Sequence, residues 1–189
     1  MVNSRRKSLA WLTILFVCFV GPALLLTPLW ARLGTRVGKK QGYVAASLVL
    51  AAGALAAVVA REAPAWVVFA ATGLIGVGYA GAQVFPMAML PDAAAADARR
   101  TGENRAGGPD TGEDAGETLG LALGPGLFAL LLALGDYRSS TDGDAVQPDS
   151  AVTMIVLGFS VVPAALVLVS LWWLARYSLG DPELEEVAA

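Results

Sequence analysis

Histidine is absent from the 189 residues, and cysteine occurs once, as Cys18. Without imidazole, the commonest metal ligand and the usual catalytic triad both drop out. A single thiol inside an apolar run makes neither a disulfide nor a thiolate cluster. Charge is scarce too: 15% of residues are charged, against about 25% in an average soluble domain. The 13 Lys and Arg are outnumbered by 16 Asp and Glu, a formal net charge of −3. That balance offers no basic face for nucleic acid. The chain therefore reads as a non-enzyme, with no catalytic residues, no metal ligands and no resident cofactor expected.

What is present is apolar. Hydrophobic residues make up 56% of the chain and mean hydropathy is +0.61. An apolar run of about 18 residues crosses a ~30 Å hydrocarbon core as a helix. Residues 9–30, 43–60, 66–90 and 151–175 meet that length without a charge inside, and residues 118–134 form a shorter run. The pattern predicts an all-α, polytopic membrane helix bundle of about five transmembrane helices. The bilayer is its first expected partner. Arg5, Arg6 and Lys7 before the first run also fit a signal peptide. The run is too long for that, and no small-x-small cleavage site follows, so it is read as a span. Trp11, Trp30, Trp66, Trp172, Trp173 and Tyr177 lie near run ends, as in an interfacial aromatic belt.

Residues 1–180 are thus expected to form one transmembrane domain and residues 181–189 an acidic tail. Arg32, Arg36, Lys39, Lys40, Arg99, Arg100, Arg105 and Arg176 fall on one side of the alternating spans. Arg61, Arg138 and the N-terminal basic cluster fall on the other. The positive-inside rule puts the first side, and with it the C-terminus, in the cytoplasm of a cell membrane. The basic N-terminus then lies outside. That conflict, and the odd number of spans, suit a chain missing earlier spans. Asp142 and Asp144 flank Gly143 in an acidic outer loop without the spaced ligands of a calcium site.

A few residues inside the spans carry more information. Pro22, Pro28, Pro86, Pro125 and Pro163 remove backbone donors and can bend their helices. Gly116, Gly120 and Gly124 share one helix face at four-residue spacing, a pattern for close helix packing. Gly76 with Ala80, and Gly78 with Ala82, repeat it on the third span. Gln83 is an amide deep in that span, and two roles fit: a substrate contact or an interhelix hydrogen bond. Glu117 opens the fourth span. It is either a proton or cation site, or an interfacial acid complementing a helix N-terminus. Thr111 and Asp114, spaced as a capping box, suit the second. Residues 34–40 have a phosphate-loop flavour, but the spacing is one residue short and no strand precedes them.

Three stretches together resemble the glycoside–pentoside–hexuronide cation symporters, the melibiose-permease-like branch of the major facilitator superfamily. Residues 28–40 look like that family's proline–tryptophan span end and basic glycine loop. Residues 76–92, with Asp97 after them, look like its glycine-rich span and proline–aspartate exit. Residues 100–107 look like the loop that follows. The resemblance implies the C-terminal portion of a carrier with about twelve spans, rocking around a midplane site. It also implies cation-coupled uptake, with Na⁺ or H⁺, of a small solute such as a sugar or glycoside. A missing N-terminal half would be the partner. Arg36, Gly38, Lys39, Lys40, Asp92 and Asp97 match the family's loop motifs, which implies a charge network latching one face of the bundle. Gln83 and Glu117 would line the substrate or cation pathway.

The departures are specific. Met87 stands where the family often has tryptophan, and Glu117 lies where it often has lysine nearby. Asp110, Glu113 and Asp114 occupy what should be the first turns of an apolar span. Each would cost about 2.5–3.5 kcal/mol at the bilayer centre, so they are expected outside it. A second expectation therefore stands beside the carrier: a truncated, non-transporting membrane remnant or interaction module.

Overall fold

The computed structural model describes residues 2–101, 112–139 and 146–176. Helix α1 runs Val2–Val37, α2 Lys39–Val59, α3 Ala65–Thr101 and α4 Gly112–Leu134. Helix α5 (Asp149–Val156), a π-helical turn (Leu157–Val161) and α6 (Val162–Arg176) form one continuous rod. A 3₁₀ turn, Ala60–Glu62, joins α2 to α3. No strand occurs among the described residues. The chain is an all-α helix bundle, with five rods among the described residues. Apolar segments take this form because a hydrocarbon solvent offers no partner to backbone N–H and C=O, and a helix satisfies them internally.

Among the described residues, four helices are long and apolar enough to cross a membrane: Leu9–Val37, Lys39–Val59, Ala65–Asp92 and Asp149–Arg176. The shorter apolar helix Thr118–Leu134 is about 25 Å long at 1.5 Å per residue. The prolines are accommodated inside the rods, Pro22 and Pro28 in α1, Pro86 and Pro91 in α3, Pro125 in α4. Pro163 is the second residue of α6, separated by one residue from the π turn. Its missing N–H leaves the Phe159 carbonyl without its helical donor, which favours irregular winding there.

Close packing is built from small residues. Gly42, Ala46, Ser47, Ala51, Gly53 and Ala54 are the buried positions of α2. On α3, a Cβ at Gly78 would strike Leu50, and one at Gly81 would strike Ala46 and Trp30. Gly53 meets Ile75 in the same way, and Gly42 meets Phe85. The α2 positions rise as the α3 positions fall, so the two helices are antiparallel. Trp11 stacks on Phe69, Phe19 meets Tyr79 at a tilt and Trp30 meets Phe85 edge-on, so α1 runs parallel to α3. On the other flank of α2, Ala51 and Ala54 bury Ala164 of α6, with Val167 against them. Helix α4 packs on the last rod through Phe128, which meets Phe159 edge-on at 4.8 Å and covers Gly158.

Most of the remaining apolar surface is exposed, as a bilayer requires. Trp11, Trp66, Trp172 and Trp173 are exposed, and Arg176 caps the Trp172 ring 3.7 Å from its centroid. Trp30 departs from the expected belt. It is 8% exposed, and its Nε1–H donates to the Val77 carbonyl at 2.8 Å. Gly81 of α3 opens the space that takes the indole inward.

Candidate functional site

The best-defined polar geometry lies where α1 turns into α2. Gly38 alone joins the two helices, at φ 90° and ψ 150°. A side chain rarely adopts that backbone, so glycine is what permits so short a reversal. Hydrogen bonds from Gly38 N to Gly34 O (3.1 Å) and Gly42 N to Gly38 O (3.0 Å) hold both sides of the turn.

The turn aims its cations at the far part of α3. Lys39 Nζ donates to the Ala88 carbonyl at 3.0 Å and to Asp92 Oδ2 at 2.5 Å. Ala88 and Asp92 are one helical turn apart, so a single ammonium reaches both. The two charged side chains are 44% and 42% exposed, which places the pair at a wet surface. Lys40 is also engaged. Arg36 lies exposed in the last turn of α1, with no ion pair among the described residues. Of the expected network, the structure thus brings Lys39 and Asp92 together. The Asp97 side chain and residues 102–107 of the following loop lie outside the described residues.

Beneath the ion pair sits an aromatic wedge that the sequence reading did not single out. Phe85, 1% exposed, covers Gly34 on α1 and Gly42 on α2, and its ring meets Trp30 at 6.0 Å, nearly perpendicular. The available signal was one bulky ring on α3 facing glycines in two other helices, visible only once their register is known.

Farther along α3, Gln83 is exposed, and its Nε2 donates to the Tyr79 hydroxyl at 3.1 Å. The bond lies within α3, not between helices. Glu117 lies in α4, but its side chain is outside the described residues, as are residues 102–111 with most of the acidic stretch. Gly116, Gly120 and Gly124 have nothing within 4 Å of an added Cβ. The packing expected of these three glycines is therefore not made with any described helix. Gly76 and Gly78 do pack closely, against Phe19 and Leu50. No cluster of three or more acids or cysteines that could hold a metal occurs among the described residues.

A family model described as MFS/sugar transport protein matches residues 4–181. No curated protein and no solved structure matches the chain.

Proposed function

Because the chain belongs to the MFS/sugar transport protein family, a family of multi-pass membrane carriers, we propose that it serves cation-coupled transport of a small neutral solute, a sugar or glycoside. The family match over residues 4–181 carries this reading. The carrier belongs to the melibiose-permease-like branch, sits in the cell membrane with its C-terminus in the cytoplasm, and uses Na⁺ or H⁺. It has no enzymatic step and no resident cofactor.

In this mechanism the Lys39–Asp92 contact is the latch. It ties the α1–α2 turn to the C-terminal part of α3, and Phe85 seats the three helices beneath it. An exposed ion pair contributes only about 0.2–1 kcal/mol. A contact that weak can open and close within a transport cycle, which a fully buried pair would resist. A further set of spans, on the exposed faces of α1, α3 and α4, completes the carrier.

The test is uptake of radiolabelled sugars, under a Na⁺ or proton gradient, by proteoliposomes that hold the chain together with the spans that complete it. Gradient-driven accumulation supports the reading, and its absence for every sugar and both ions sinks it. The open glycine face of α4 favours one second reading, a non-transporting module that docks on other membrane helices. Protease protection separates the two: a carrier inserts in one orientation, whereas mixed orientation favours the module.

A further inference from the structure

We infer that Phe19, Tyr79 and Gln83 form a recognition patch for an uncharged, hydroxyl-bearing ring. The inference rests on the carrier reading and assigns chemistry to a face of α3. In the span Ala65–Asp92, Gln83 lies within about 7 Å of the middle, at 1.5 Å per residue. An amide at that depth needs polar company. The structure supplies it only in part. Gln83 Nε2 donates to the Tyr79 hydroxyl, and the Gln83 oxygen, its second N–H and the Tyr79 O–H have no other partner among the described residues. The patch is accessible, with Tyr79 44% exposed and Gln83 exposed beside it.

An aromatic wall stands next to these groups. Phe19 of α1 lies 5.5 Å from the Tyr79 ring, tilted by 45°. Gly76 is what allows this approach, since its missing Cβ would fall on the Phe19 carbonyl. Two rings, one acceptor and two donors thus share one face of two tightly crossed helices. Small-molecule sites commonly combine apolar and aromatic walls with a few convergent polar groups. A sugar ring matches this set, because its C–H face packs on an aromatic ring while its hydroxyls both donate and accept. No charged residue occurs in residues 9–30 of α1 or 66–90 of α3. The patch therefore favours a neutral sugar over its uronate.

Saturation-transfer NMR on the purified full chain in nanodiscs tests this, with glucose, xylose and lactose as neutral probes and glucuronate as the charged one. Circular dichroism checks that each variant is folded. We expect transfer from the protein to ring C–H protons of at least one neutral sugar, and weaker transfer to glucuronate. Gln83→Leu should weaken binding by roughly 10-fold, the equivalent of one or two net hydrogen bonds. Phe19→Leu should weaken it and reduce transfer to the C–H face, and Tyr79→Phe should cost less because the ring remains. Neutral-sugar binding unchanged in folded Gln83→Leu and Phe19→Leu overturns the patch and leaves the carrier reading standing. Equal binding of glucuronate overturns the preference for neutral ligands. Failure of the folded wild-type chain to bind any of the neutral sugars also overturns the patch, and the uptake assay then decides the carrier reading by itself.

Discussion

Replacing Gly42 by alanine adds one methyl group where three atoms of the Phe85 ring lie at 3.0 Å or less from the new Cβ. Phe85 has nowhere to go. It is 1% exposed, also covers Gly34, and abuts Trp30, which is held by its bond to Val77. Overpacking of this kind costs about 1–3 kcal/mol. A glycine-to-alanine change in a helix otherwise gains up to about 1 kcal/mol of propensity. Gly120, in α4, provides the control, because nothing lies within 4 Å of its added Cβ. The propensity gain is common to both sites, so their difference isolates the clash. We expect Gly42→Ala to be less stable than Gly120→Ala by about 1–3 kcal/mol. Reversible unfolding in mixed micelles titrated with SDS, followed by helical circular dichroism, measures both. Adding Phe85→Leu to Gly42→Ala should return at least about 0.5 kcal/mol relative to additivity, since the two side chains share one space. Equal stability of the two glycine variants, together with an additive double mutant, would refute the wedge.

Gly38→Ala forces a side chain into a backbone at φ 90° and ψ 150°, and should cost about 1–3 kcal/mol in the same unfolding assay. Trp30→Phe removes the donor to Val77 and should cost about 0.5–1.5 kcal/mol, whereas the same change at exposed Trp66 should be near neutral. Asp92→Asn should change stability by no more than about 1 kcal/mol, yet alter sugar uptake in proteoliposomes, because it loosens the latch. The exchange of Lys39→Asp with Asp92→Lys should restore uptake in part, and no recovery would argue against a direct pair.

The class of the protein was written in its composition. Runs of about 18 or more uncharged apolar residues demand helices in a solvent without hydrogen-bond partners. The basic loop at residues 34–40 and the proline–aspartate exit at Pro91 and Asp92 were legible as motifs, because they are local in the chain. Gly76 and Gly78 were legible as packing residues, since four-residue spacing defines one helix face. The same logic applied to Gly116, Gly120 and Gly124 named a face but not what covers it, and within this chain the described helices leave it open.

Periodicity along one helix says which residues share a face, and nothing about which face of another helix they meet. Trp30 shows the difference. By position it belongs to an interfacial belt, yet the gap left by Gly81 across the bundle draws it inward. Register alone decided that Lys39 reaches Asp92 across 53 residues and that Phe85 seats on glycines of two other helices. The sequence by itself determined the solvent, the helices and the charged ends, because those follow from the chemistry of short segments. Only the tertiary structure decided the contacts, because ridges and gaps on separate helices interlock in one register, and no single segment encodes where its gap will be filled.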